Sequence, residues 1–489
     1  MQFPILSVIV LTPAITGILI LLIPGERKSE IRVAALAASA VAMLLSFWVY
    51  FSYDISAGGY QFVEKYDWLP SLGISYHLGI DGISAPLVLL TGVVMFTGVL
   101  ISWGIDDRPR EFFALLFILA TGVFGVFVAL DLFGLFFFYE IAVFPMYLLI
   151  AIWGWKVTRE YAAMKLTLYL FIGSVIALVG ALAIYFKSDL NTFNMLLLEQ
   201  VNFDPEFQKF WFPFVFFGFA ILGGIFPFHN WSPDGHVAAP TAVSMFHAGV
   251  LMKLGAFAAL RVGIMLLPEG ATYHMPWIIL LALVNVLYGA FIAMVQTDFK
   301  YVIGFSSVSH MGLVLIGFAT LNREGLIGAG VQMFSHGIMT ALFFAVVGMV
   351  YDQVHTREIP KLGGFVKAMP WVAVAFIIGG LVSMGMPGFS GFIAEFPIFM
   401  GLWRYQPWIA ILAAISIVIT ASYIIRVTGR VFFGKIPQEF RDHTKDVTVL
   451  DKVALVLLCT ILIAIGIFPR LMVPLVESGA NNILRLLGG

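Results

Sequence analysis

Charge is scarce in this sequence. Only 11% of its 489 residues are Asp, Glu, Lys or Arg, against about 25% in soluble domains. So few charges cannot clothe the surface of a soluble fold of this size. Cysteine is scarcer still, with Cys459 the only one. One thiol cannot close an intramolecular disulfide, hold an iron–sulfur cluster or complete a cysteine zinc site. The sequence contains no GxGxxG and no GxxxxGK[ST] loop. Redox or nucleotide chemistry linked to this chain is therefore expected on other subunits. Basic and acidic residues nearly balance, 27 against 28. No basic field advertises nucleic acid or another polyanion as a partner.

What the chain has is apolar length. Hydrophobic residues make up 61% of it, and its mean hydropathy is +0.99. Runs of about 20 apolar residues span a bilayer. Fourteen are found, at 4–23, 31–53, 82–104, 111–129, 131–153, 160–186, 210–228, 241–266, 273–295, 300–320, 327–350, 370–403, 408–426 and 449–472. The expected fold is an all-α polytopic membrane protein of about fourteen transmembrane helices. The first run lacks a basic leader and a small-residue cleavage site, so it reads as a retained helix. No connecting loop exceeds about 28 residues, which leaves no room for a soluble domain.

Two runs are predicted to be interrupted. The twelfth is too long for one span and carries GMPG in its middle, with Gly385, Pro387 and Gly388. The seventh ends at Pro227 and enters the polar stretch HNWSPDGH, residues 229–236. Proline removes a backbone donor and glycine weakens a helix. The breaks lie five spans apart, the spacing of two inverted five-helix repeats. The predicted organisation is three helices over 1–110, a first repeat over 111–266 (spans 4–8), a second over 273–426 (spans 9–13), and a last helix at 449–472.

Basic residues fix the orientation. With fourteen spans, seventeen of the 27 fall in loops on one side, among them Arg27, Lys28, Arg108, Arg110, Lys156, Arg357, Lys361 and Lys445. Seven lie on the other: Lys65, Lys187, Lys209, Arg323, Arg404, Arg470 and Arg485. The positive-inside bias puts both termini on the outer side of a bacterial inner membrane. A single miscounted span would scramble this pattern.

The remaining three basic residues, Lys165, Lys253 and Arg261, lie within runs. So do Glu140, Glu395, His247, His310 and His336. A charge at mid-bilayer costs about 2.5–3.5 kcal/mol on insertion scales and usually marks an ion pathway. Glu140, in FFFYEIAVFP, sits about 14 Å into its helix at 1.5 Å per residue, too deep to reach the interface. It needs a partner or a proton, the plainer alternative being a structural ion pair. Lys253 is equally deep. Lys165 is near enough to the basic side to snorkel, and Arg261, near the outer end, reads as an interfacial anchor. His310 and His336 lie mid-span on adjacent runs, where a lone histidine is commonly a hydrogen-bonded core residue. Glu395 follows the GMPG break, beside freed backbone groups, and suits an ion exit. Together they form a row of carboxylate, amine, two imidazoles and carboxylate, all able to exchange protons, which reads as a proton relay.

The motifs LGIDGIS (78–84), DLFGLFFFYEIAVFPMYLLIAIWG (131–154), FPFHNWSPDGHVAAPTAVSMFHAGVLMKLGA (226–256), IGFSSVSHMG (303–312), QMFSHGI (332–338) and MGMPGFSGFIAEF (384–396) extend this reading. At these residues the chain resembles the antiporter-like, proton-translocating subunits of respiratory complex I, over nearly its whole length. The resemblance implies fourteen helices with broken helices 7 and 12, and a proton channel built on Glu140, Lys253, His310, His336 and Glu395, with Lys165 at the helix 6 basic position. It implies no redox centre here. NADH, FMN, iron–sulfur clusters and quinone are expected on partner subunits. The implied partners are neighbouring antiporter-like subunits of the L and N types, a long lateral helix from the L type, and a peripheral arm. A multi-protein Na+/H+ antiporter subunit or a membrane-bound hydrogenase relative would share the fold, and neighbouring genes would separate them. A haem oxidoreductase with His310 and His336 as axial ligands is disfavoured, since no bis-histidine set repeats on two helices.

One position departs from the resemblance. A lysine is implied five residues before Pro227, as partner to the helix 5 acid, but Leu222 stands there. Glu140 is then either neutral, its proton held by burial, or served by a substitute base. His247, six residues before Lys253 and about 120° round the helix from it, is the candidate.

Overall fold

The computed structural model describes residues 3–441 and 444–488. A bilayer offers no water to a backbone amide, so an apolar run there must satisfy its own N–H and C=O groups, and a helix does so. The helices are α1 (Ile5–Leu22), α2 (Lys28–Ser52), α3 (Ser84–Ile101), α4 (Pro109–Val128), α5 (Leu132–Trp153), α6 (Arg159–Lys187), α7 (Pro205–Ala220), α8 (Trp231–Ala238), α9 (Thr241–Ile264), α10 (Pro268–Val295), α11 (Phe299–Ala319), α12 (Arg323–Val354), α13 (Pro370–Ser383), α14 (Ser390–Tyr405), α15 (Pro407–Val427), α16 (Val449–Ile467) and α17 (Val473–Leu486). Twelve of the described helices are long and apolar enough to cross a membrane.

Both expected interruptions are present. Residues 221–230 separate α7 from α8, and residues 384–389 separate α13 from α14. Gly224, Gly385 and Gly388 there have φ of +78°, +64° and +93°, which side chains other than glycine adopt only at a cost. Asn285 of α10 holds the first break together. It is fully buried, its Nδ2 donates to the Gly224 carbonyl at 2.7 Å, and its Oδ1 accepts from the Phe226 amide. One amide side chain thus satisfies a donor and an acceptor that the broken helix left free. The polar stretch 229–236 is largely helical. Most of it forms α8, where Ser232 and His236 are fully buried.

Two elements lie outside the fourteen expected runs. Residues 61–80 form an antiparallel hairpin of β1 (Gln61–Leu69) and β2 (Ile74–Ile80). A search for 20-residue apolar runs is blind to a nine-residue strand. The C-terminal α17 is amphipathic and buries Leu475, Val476, Gly479, Ala480 and Ile483.

Burial sorts the helices into layers. The most apolar stretches of α9 and α12 are 100% buried within the chain, against 39% for α6 and α16. The helices bearing Lys253, His310 and His336 therefore form the centre, wrapped by lipid-facing helices. Close backbone contact joins two of them. A Cβ on Gly337 of α12 would lie 2.7 Å from the Gly249 carbonyl of α9, so only glycine permits this approach.

Candidate functional site

Lys253 lies on α9 with no exposed surface and no acidic partner among the described residues. Its ammonium donates to the Ala248 carbonyl, five residues back. The helix makes this possible by widening into a π turn over His247–Leu251, and a second follows at Ala259–Ile264. Such turns occur mostly as single bulges, often at functional sites.

His336, on α12 next to the Gly337 contact, has two ring nitrogens with no hydrogen-bond partner among the described residues. Its ring lies 5.4 Å from that of His310 on α11, centre to centre. His310 Nδ1 is 3.1 Å from Glu395 Oε1, and His310 Nε2 is 3.0 Å from Ser383 Oγ. A hydroxyl can donate or accept. Neutral or protonated, His310 therefore keeps both contacts, with Ser383 reversing its role. Gln332 Nε2 donates to Glu395 Oε1 at 3.2 Å. The helix break helps build this cluster: Ser383 ends α13, and Ser390, which begins α14, bonds Ser335 of α12 at 2.8 Å. Glu395 itself is 5% exposed and stands beside Gly385. Glu395→Ala is expected to slow turnover about tenfold in an assembled complex, while Glu395→Asp loses much less, because a shorter acid still exchanges protons through water. Proton uptake rates in membranes from the two variants check this, and equal wild-type rates would reduce Glu395 to packing.

The other expected residues fall elsewhere. Lys165 pairs with Asp234 of α8 at 2.7 Å, and Tyr301 donates to the other oxygen of Asp234 at 3.0 Å. Neither member of that pair belongs to the buried row. Glu140 is exposed on the outer face of α5, flanked by exposed Phe137 and Phe144, and makes no hydrogen bond or ion pair with a described residue. His247 does not face it. Its ring stacks on Trp231 at 5.2 Å and lies 4.1 Å from His236. Leu222 is fully buried and packs on Gly255. Arg261 is not an interfacial anchor: it is 3% exposed and paired with Asp81, itself 1% exposed, at 2.5 Å.

The sequence reading passed over four residues. Asn285 is the sole side-chain amide in the ninth run and was detectable on that ground. Gln332 sits within a quoted motif. His236 and Lys300 stand in stretches whose composition reads as loop. Lys300 is 5% exposed, and its ammonium donates to the Ala239 carbonyl at 2.6 Å. It lines a cavity of about 620 Å³ that opens at the basic-rich end, with Lys156, Asp352, Arg357 and the backbone that follows α8.

Known proteins share the sequence and the fold. Residues 129–420 match the model of a transmembrane family described as NADH:quinone oxidoreductase/Mrp antiporter. The chain is 35% identical to NAD(P)H-quinone oxidoreductase chain 4 of Gloeobacter violaceus, over 99% of this chain and 93% of that one. It is 37% identical to chain 4-2 of a Synechocystis species, over 88% and 79%. A chain of the solved respiratory complex I from Thermus thermophilus with bound NADH superposes with a TM-score of 0.91 at 28% identity, covering 99% of this chain and 100% of that one. A chain of the Mrp complex from Dietzia sp. shares the fold, with a TM-score of 0.87 at 20% identity over all of both chains.

Proposed function

Because this chain belongs to the NADH:quinone oxidoreductase/Mrp antiporter transmembrane family, we propose that it is a proton-translocating membrane-arm subunit of an NADH–quinone oxidoreductase. Protons would move along a buried row of Lys253, His336, His310 and Glu395. The observation that carries this reading is that row itself. It crosses the most buried helices of the bundle, ends on a carboxylate beside a helix break, and closes with an imidazole–carboxylate contact of 3.1 Å. Ionisable groups in a membrane interior are costly, and where they face the bundle interior they usually mark an ion pathway.

The finer architecture follows the same reading. Each interrupted pair counts as one crossing, which gives fourteen, with α4–α9 and α10–α15 as the two inverted repeats. Both termini lie on the outer side, and the cavity at Lys300 opens inward. Electrons, FMN, clusters and quinone belong to partner subunits. Glu140 supports a lateral partner. A carboxylate on a face otherwise made of exposed phenylalanines would meet lipid in the isolated chain, a costly position. A neighbouring membrane subunit covers that face in the assembly and brings Glu140 into the charge row.

Glu140→Gln tests this part. It keeps the shape and removes the charge. The complex is expected to assemble, with proton pumping lost and electron transfer much reduced. A normal proton-to-electron ratio in proteoliposomes carrying the Gln variant would remove Glu140 from the pathway.

A further inference from the structure

The buried row described so far starts at Lys253, while the cavity at the basic-rich end stops at Lys300. Between them lie two histidines. His236 lies in the last turn of α8, and its Nε2 is 2.9 Å from Ser232 Oγ. His247 opens the π turn of α9, and the two ring centres are 4.1 Å apart. Both are fully buried, and three of their four ring nitrogens have no hydrogen-bond partner among the described residues. On the cavity side, Lys300 and His236 flank the same ring: Phe344 lies 6.0 Å from the Lys300 ammonium and 5.4 Å from the His236 ring. On the other side, the Lys253 ammonium bonds the carbonyl of Ala248, the residue after His247.

Packing alone does not account for the pair. A Cβ on Gly235 would lie 2.7 Å from His247 Cε1, so α8 gives up a side chain to admit that ring. A glycine within a helix costs about 1 kcal/mol against alanine. Buried polar atoms left without partners cost more, and in proteins they are normally satisfied. A leucine at 247 would fill space without either cost. Internal water, which joins otherwise unpartnered buried polar groups, would complete contacts for these nitrogens and link them to their neighbours.

We propose that His236 and His247 form a proton-loading pair that carries protons from the cavity at Lys300 to Lys253. The inference rests on the relay reading above and adds its inward-facing entry. A proton arriving from the cavity adds to one imidazole nitrogen while the opposite nitrogen of the same ring releases one onward. No bond but N–H and O–H forms or breaks.

The test uses the assembled complex in membranes, with His247→Leu, His247→Gln and Lys253→Met side by side. His247→Leu and His247→Gln are each expected to slow proton uptake about tenfold, less than the roughly 10²–10⁴-fold of a positioned proton-transfer group, because water carries part of the flux. The complex should still assemble. The solvent deuterium isotope effect on turnover should rise, since loading becomes limiting. Gln preserves polarity and approximate size, so a packing role would leave it near wild type. Should His247→Leu fail to assemble, Gly235→Ala/His247→Leu refills the space and carries the same expectation. Wild-type uptake and an unchanged isotope effect in an assembled His247 variant would overturn the pair. If Lys253→Met also pumps normally, the relay falls too. If Lys253→Met stops pumping while the His247 variants do not, only the histidine pair falls.

Discussion

Lys253→Met is expected to lower proton pumping and quinone reduction together, by at least about 100-fold, the low end of what a positioned proton-transfer group supplies. The reasons are structural. Lys253 is fully buried at the middle of the central helix, and its one hydrogen bond among the described residues is to the Ala248 carbonyl. Methionine has similar length and needs no partner, so the substitution removes a costly buried amine and leaves packing intact. Assembly is therefore expected to be normal. Lys253→Arg gives a sharper contrast. Guanidinium does not release its proton in proteins. If Lys253 serves only as a fixed charge, Arg should retain activity; if it must exchange a proton, Arg should fail with Met. NADH-driven proton uptake and quinone reduction in the same vesicles separate the cases, and retained pumping in Lys253→Arg would mean that Lys253 acts by charge alone.

Arg261→Met is expected to hit assembly rather than proton transfer. Arg261 and Asp81 are a pair 2.5 Å apart, both almost without exposed surface. Removing one partner of such a pair costs about 3–5 kcal/mol, because the other charge stays buried alone. Arg261 also donates to Tyr60 at 3.0 Å, whose hydroxyl donates to Glu199 at 3.2 Å. Asp81 accepts the amides of Ile83 and Ser84, at 3.0 and 2.9 Å, ahead of α3. Burial raises the Asp81 carboxyl, but the adjacent Arg261 guanidinium outweighs it and holds the group below its ordinary value. Its contribution is thus present above the ordinary aspartate value of about 3.9 and is lost as pH falls through the lower folded-state value. Arg261→Met/Asp81→Asn should recover much of the loss, since Asn still accepts both amides and carries no charge. Thermal unfolding and the yield of intact complex report this. Equal yields in wild type and Arg261→Met would make the pair dispensable.

Much of this was legible in the sequence, and the exceptions have physical reasons. In runs otherwise apolar, Glu140, Lys253 and Glu395 stand out by type, and depth follows from 1.5 Å per residue. The glycines and prolines of ILGGIFPF and GMPG announce the breaks. Facing is another matter. The run around Glu140 is apolar on every side, so nothing in its pattern says that the acid points outward rather than into the core. The partner of Arg261 lies 180 residues earlier in the chain, beyond any helical spacing. His236 was hidden by composition: a stretch rich in Ser, Pro, Asp and His reads as a loop, yet α8 is buried, because the fold folds it back against α9 and α11. The Gly235–His247 fit is visible only once both helices are in place.

Protons are expected to reside on and leave the buried imidazole–carboxylate cluster during turnover. Infrared difference spectroscopy of the assembled complex, resting against turning over, observes this directly. The expected result is a carboxyl C=O signal that shifts in D2O and disappears in Glu395→Gln, together with an imidazole signal identified by ring-labelled histidine and lost in His310→Gln. Difference spectra that are identical in wild type and both variants, while wild type pumps, would contradict the account.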